Sequence, residues 1–159
     1  MKFSAQEEYG LRCILSIATS DGGSGITIPE LSQMEGMTQP HVAKMLSILR
    51  KAGFITSTRG QQGGYSLALE PSKIVVGDLL EALGGRLYEP AFCERHSGSQ
   101  DECAHQGGCN LRPLWSRIQS AVDAIVYRLT VQDLIDGKLD IGENARFQVA
   151  PRREPVAGQ

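Results

Sequence analysis

Two helical repeats only three residues apart, followed at once by a strand-like pair, constrain this chain more than any other feature. Pro29 to Glu35 reads as a helix, because proline suits a first turn where its missing N–H is not needed, and Gly36 ends the run. Thr38 is placed to cap a helix that runs to about Ala52 and stops at Gly53. Its apolar positions are Val42, Met45, Leu46 and Leu49, while His41, Lys44, Ser47 and Lys51 fall on the opposite face. Two helices joined by Gly36-Met37-Thr38, the second with a polar face, make a helix-turn-helix. Phe54–Arg59 and Tyr65–Leu69 are rich in β-formers and flank Gly60-Gln61-Gln62-Gly63-Gly64, which predicts a β-hairpin. A hairpin in that position is a wing.

The remaining elements fit around this unit. Residues 5–19 form a helix with an apolar stripe of Leu11, Ile14, Leu15 and Ala18, and Ser4 with Glu7 makes a capping box. Cys13 lies among these core positions and reads as a small buried hydrophobe. Ile26-Thr27-Ile28 is a short β-type stretch, and Ile74 to Leu83 reads as a strand end plus helix with Val76, Leu79, Leu80 and Leu83 inward. From Leu111 to about Leu129, apolar residues recur every three or four positions: Leu111, Leu114, Trp115, Ile118, Ala121, Val122, Ile125, Val126 and Leu129. So long a stripe outside a small winged core is read as a dimer seam, the rival being an intramolecular core helix. Val131 to Ile135 is a short helix, and residues 140–159 read as a disordered tail. The expected fold class is mainly α with a small β-wing: a winged helix-turn-helix plus a long C-terminal dimerisation helix. The expected divisions are 1–85 for DNA binding, 86–110 for a cysteine loop, 111–136 for dimerisation and 137–159 for the tail.

Charge distribution supports a nucleic-acid partner where net charge does not. The net charge is −2, yet from Gly36 to Leu69 there is no Asp or Glu, while Lys44, Arg50, Lys51 and Arg59 give that segment +4. Such a local basic surface is enough to contact phosphates, its rival being a chance run of solvated cations. The recognition helix would enter a major groove with its N-terminal residues nearest the bases. Thr38, Gln39 and His41 are the base-reading candidates. Lys44, Arg50 and Lys51 would mostly touch phosphates or brace the scaffold, and Arg59 and Gln61 at the wing tip would reach a minor groove or its flanking phosphates. No apolar run is long enough to span a bilayer, and the acidic start Met1–Glu8 lacks the pattern of a signal peptide, so a cytoplasmic protein is expected. A close cysteine pair and a nucleotide-binding glycine loop are both missing, which argues against an enzyme.

Three of the four cysteines, Cys93, Cys103 and Cys109, share one glycine-rich stretch. In a reducing compartment they argue for metal binding or chemistry rather than disulfides. The spacing Cys93-x9-Cys103-x5-Cys109 lacks the close pairs favoured by zinc sites, and an iron–sulfur cluster tolerates longer gaps. His96, His105 and Asp101 are nearby candidates for a further ligand. A zinc clip of three cysteines and one histidine is the alternative.

Taken together, the helix-turn-helix, Arg59-Gly60-x-x-Gly63-Gly64-Tyr65 in the wing, Val76-Gly77-Asp78-Leu79-Leu80, the three cysteines and the long amphipathic helix resemble a known family. It is the family of bacterial winged-helix regulators that includes IscR, NsrR and RirA, and the resemblance covers about residues 1–136. It implies a homodimer that binds a palindromic operator in double-stranded DNA and carries one iron–sulfur cluster per subunit. Cys93, Cys103 and Cys109 would be the thiolate ligands. Members of the IscR type place a histidine where this chain has Arg112. Members of the NsrR type use an acidic residue near the start of the first helix, given by the partner subunit; Glu8 occupies that place here. That likeness favours a 4Fe–4S cluster over a 2Fe–2S cluster. The alternative function is a zinc-stabilised winged-helix DNA-binding protein without a sensing cluster.

Overall fold

Ser4 starts the first helix of the computed structural model as a capping residue should: its hydroxyl accepts from the Glu7 N–H, and the Glu7 carboxylate accepts from the Ser4 N–H. The structure describes residues 3–20, 25–58, 63–89, 91–98, 102–103, 105 and 107–139. Within them the order is α1 (Ala5–Thr19), α2 (Ile28–Glu35), α3 (Gln39–Lys51), β1 (Ile55–Ser57), β2 (Tyr65–Leu67), a 3-10 turn (Pro71–Lys73), α4 (Val76–Gly84), α5 (Phe92–Arg95), α6 (Arg112–Val126) and α7 (Val131–Asp136). β1 and β2 are an antiparallel pair with Ile55 opposite Leu67 and Ser57 opposite Tyr65. This is a mainly helical fold with a two-stranded wing.

The core is one cluster. Cys13, Ile14 and Ile17 of α1 pack with Leu31 of α2, with Val42, Met45, Leu46 and Leu49 of α3, and with Ile55, Ile74, Leu79 and Leu83. Val131 of α7 is fully buried in the same cluster. The head is therefore built from two separated pieces of chain, residues up to α4 and residues 129–136, with the cysteine loop and α6 between them. Main-chain bonds join the pieces: Val76 N–H donates to Leu129 O at 2.8 Å, and Val131 N–H to Ile74 O at 2.9 Å.

Several boundaries differ from the sequence expectation. Ile26-Thr27-Ile28 does not form a strand. Ile26 makes a single antiparallel bridge to Tyr65, Thr27 caps α2 through a box with Glu30, and Ile28 is already helical. α6 ends at Val126 rather than near Leu129. Thr130 is the N-cap of α7, with Asp133 completing its box, so the residues before it must leave the helix for Leu129 to pair with Val76. Part of the expected cysteine loop is helical, as α5. Residues 140–159, expected to be a tail, lie outside the described residues.

Candidate nucleic-acid interface and cysteine loop

The turn between α2 and α3 is closed by backbone geometry. Gly36 adopts φ 64°, the left-handed conformation that favours glycine, and its N–H caps Ser32 O. The Ser32 hydroxyl donates to Met37 O at 2.6 Å, and Met37 turns inward. Thr38 then occupies the N-cap position of α3, but its side chain makes no capping bond, so the hydroxyl expected to cap is left exposed. Gln39 and His41 are also exposed in this first turn, which contains no acidic residue.

α1 supports the reading helix from behind. The Tyr9 and His41 rings stack with centroids 6.4 Å apart, and the Arg12 guanidinium lies 5.9 Å from the Tyr9 centroid. Arg12 Nε donates to a Glu35 carboxylate oxygen at 2.7 Å, and the Ser16 hydroxyl donates to the other oxygen. Arg12 thereby fastens α1 to the last residue of α2, immediately before the turn. The Glu35 carboxylate raises the Arg12 pKa above its ordinary value, chiefly through that hydrogen bond.

The candidate phosphate contacts divide. Lys44 and Lys51 are exposed and make no ion pair among the described residues. Arg50 Nη1 reaches Ser57 Oγ on β1 at 3.5 Å, a bracing contact to the wing. Arg59 and Gln61 lie outside the described residues.

The cysteine loop leaves α4 at Gly85 and is fixed at its root. Tyr88 N–H donates to Gln119 Oε1 on α6 at 2.8 Å, and Arg86 pairs with Asp123 of α6. Within the loop the rings of Tyr88 and Phe92 meet at 5.6 Å, and those of Phe92 and His96 stack at 4.2 Å. His96 Nδ1 is 2.8 Å from Phe92 O, a local contact across α5. Cys93 lies on α5, with its Sγ 3.9 Å from the Tyr88 hydroxyl. Cys109 Sγ accepts from Arg112 N–H at 3.4 Å, at the start of α6. Burial first, and then the hydrogen bond to Cys93, push the Tyr88 hydroxyl pKa up, with Cys109 adding to the effect and Arg112 opposing it.

Cys93, Cys103 and Cys109 are free and partly exposed, whereas Cys13 is buried in the core as expected. Burial pushes the Cys13 thiol up to about 11, which suits a packing role. Three free thiols are the donor chemistry that an iron–sulfur group or zinc requires. Among the described residues, no three Cys, His, Asp or Glu side chains are gathered at metal-holding distance. His105 is exposed, and Asp101 lies outside the described residues. Glu8 is exposed on the first turn of α1. Its neighbour Glu7 is committed to the capping box, and the Glu8 carboxylate takes part in no hydrogen bond or ion pair among the described residues.

Sequence reasoning missed Gln119, a nearly buried amide on a helix whose exposed apolar residues include Leu111, Leu114 and Trp115. The signal was available: Gln119 lies four residues after Trp115 and three before Val122, so a polar side chain falls beside the apolar stripe. It also missed Tyr9, Arg12 and Glu35, because contacts between helices distant in sequence leave no periodicity. No helix among the described residues is long and apolar enough to cross a membrane.

Comparison with known proteins follows the same geometry. The family described as Rrf2, iron-dependent transcriptional regulator, matches residues 3–137. The protein named rrf2 of Nitratidesulfovibrio vulgaris is 32% identical over 135 residues, covering 85% of this chain and 87% of that one. The solved structure of CymR, the global cysteine regulator of B. subtilis, superposes with a TM-score of 0.68 at 28% identity, over 86% of this chain and 98% of that one. That of IscR from T. potens gives a TM-score of 0.68 at 25% identity, over 86% and 88%. The family match extends from the winged head through the cysteine loop to α7. The chain belongs to the Rrf2 family of transcriptional regulators, DNA-binding proteins rather than enzymes.

Proposed function

We propose that the protein is a cytoplasmic homodimer that reads a palindromic operator and whose DNA affinity depends on an iron–sulfur cluster. The observation that carries this reading is the loop itself. Three free, partly exposed thiols lie on a segment whose root is bonded to α6 through Tyr88 and Arg86. Cys93, Cys103 and Cys109 would hold the cluster, with Glu8 of the other subunit as a hard oxygen ligand near the reading head. The four-iron form is favoured over the two-iron form. When bound, the cluster supplies a redox- and nitric-oxide-sensitive centre with thiolate ligands.

The chain's own residues would do the rest. The exposed Leu111, Leu114 and Trp115 of α6 offer an apolar face to a second copy. α6 would then set the separation of two reading helices, and successive major grooves on one face of DNA lie about 34 Å apart. Thr38, Gln39 and His41 would meet base edges, Lys44 phosphate, and Arg59 and Gln61 the wing-side groove. Lys44→Ala should lower affinity evenly across operators and reduce the salt slope by about one. Thr38→Ala should relax specificity at one position.

A second reading is favoured by the dispersed cysteines and by the likeness to the cysteine regulator: a winged-helix regulator with no cluster, stabilised by zinc or by no metal. Purification without air, followed by absorbance, iron, sulfide and zinc analysis, separates the two. Iron and sulfide in comparable amounts, lost in Cys93→Ala, support the cluster. Zinc alone, or no metal together with full operator affinity, supports the second reading. An unchanged spectrum in Glu8→Ala removes Glu8 from the ligand set.

A further inference from the structure

Gln119 is the point where the cysteine loop, α6 and α4 are joined. Its side chain is only 7% exposed, although α6 is largely open to solvent. Both ends of the amide are used. Oε1 accepts from Tyr88 N–H at 2.8 Å, and Nε2 donates to Asp123 Oδ1 at 2.7 Å. The other Asp123 oxygen takes Arg86, whose Nη1 lies 3.9 Å from Glu81 on α4. Glu81 also accepts from the Tyr127 hydroxyl at 2.7 Å, at the end of α6. A continuous polar chain therefore runs from Tyr88, whose hydroxyl sits against Cys93, through Gln119 and Asp123 to α4 of the head.

Only a side chain with an acceptor and a donor on one planar group satisfies both neighbours at once. A carboxylate cannot donate to Asp123, and an amine cannot accept from Tyr88. Beside the network lies a cleft of about 300 Å³, lined by Leu80 of α4 and by Val122, Ile125 and Val126 of α6, so apolar contact between the two helices is only partial there. With apolar contact incomplete, the polar chain has an outsized share in fixing how α6 leans on the head.

We propose that Gln119 is the positioning residue through which the state of the cysteine loop reaches α6 and the head. This rests on the proposed function only in taking the loop as the controlled element, and a test without any cofactor is available. In the full-length metal-free protein, capping the loop thiols with N-ethylmaleimide should change amide exchange both in the loop and in the α6 turns around Gln119. In Gln119→Met, which keeps the volume and removes both hydrogen bonds, the Tyr88 amide should exchange at least tenfold faster. The loop should still respond to capping, but α6 should not.

A second arm uses protein reconstituted without air, and compares operator Kd with and without the cluster. The ratio in Gln119→Met should collapse toward one, with the cluster absorbance and iron-to-sulfide ratio retained. Gln119→Glu places two carboxylates together and should uncouple as well. Adding Asp123→Asn restores a donor facing an acceptor at unchanged total charge, and should bring the α6 response back. This pair of variants also decides the matter if Gln119→Met does not fold. An α6 response in Gln119→Met equal to that of the wild type, or a double variant no better coupled than Gln119→Glu, overturns the proposal. A wild-type Kd ratio of one refutes the cluster reading and leaves the exchange experiment to judge Gln119.

Discussion

Replacing Gly10 with alanine sets two ordinary effects against each other, and the structure decides the sign. Gly10 lies inside α1, where alanine is favoured over glycine by about 1 kcal/mol. A methyl there would sit 2.3 Å from Leu83 Cδ2, 2.5 Å from Cδ1 and 2.9 Å from Cγ. Non-bonded carbons rest at about 3.5–4.0 Å, so Leu83 or the whole of α4 must retreat by about 1 Å or more. Leu83 is 2% exposed, so it cannot swing out into solvent without leaving the core. Overpacking of this kind costs about 1–3 kcal/mol. Subtracting the propensity gain leaves a net loss of about 1 kcal/mol, within a range of about 0–2. Urea unfolding at one fixed protein concentration measures it, with a slope that scales with the surface exposed on unfolding. With a slope of about 2 kcal/mol per molar urea, the midpoint should fall by about 0.5 M. Leu83→Ala alone should cost about 2–5 kcal/mol. The double variant should be more stable than the sum of the two by at least about 1 kcal/mol, because the new methyl enters the vacated space. A Gly10→Ala protein that gains the full propensity increment, with an additive double variant, would show that α1 and α4 are not packed as described.

Glu35→Ala should destabilise by about 2 kcal/mol in the same assay, because the buried Ser16 hydroxyl loses its acceptor and Arg12 loses the carboxylate, keeping only the Glu35 main-chain carbonyl. That figure is already reduced for Arg12, whose side chain is 39% exposed. Glu35→Gln should recover roughly half, and a loss below about 0.5 kcal/mol in Glu35→Ala would contradict the assignment. Iodoacetamide at pH 8 should label Cys93, Cys103 and Cys109 in the folded, metal-free protein and reach Cys13 only on unfolding, since that thiol is buried and raised to about 11; a fourth adduct appearing early in the mass spectrum counts against it. Hydrogen bonds from Thr27 and Thr130 hold the carboxyls of Glu30 and Asp133 below their ordinary values of 4.5 and 3.8. Their contribution is complete above those values and fades as pH falls through the lowered ones. The fall in thermal stability from pH 6 to pH 3 should therefore be smaller in Glu30→Gln/Asp133→Asn, and an undiminished fall speaks against these caps.

The elements that sequence reading placed well are those with strong local signals. The Ser4–Glu7 box and the helical stripe located α1 to the residue, and Gly36 located the turn. Local chemistry failed where a neighbour far along the chain decides. Ile28 has the branching of a strand residue, yet the Thr27 box draws it into a helix. The apolar pattern continues through Leu129, yet α6 stops early because Leu129 is needed beside Val76. The site follows the same division. Exposed cations and thiols could be named from composition and spacing, but the Tyr9–His41 stack exists only once α1 meets α3, and the Gln119 network only once the loop, α4 and α6 meet.

The discontinuous core has a consequence during synthesis. Val131 fills the same cluster as residues from α1 to α4, so the winged head has a hole in it until Val131 itself leaves the ribosome. Contacts of such long sequence separation close late, since the intervening loop entropy must be overcome first. The cysteines and the apolar face of α6 therefore emerge before the head is complete. A message truncated after α6 would yield a molecule with that apolar face made and its core unsealed, a substrate for proteases rather than a shorter regulator.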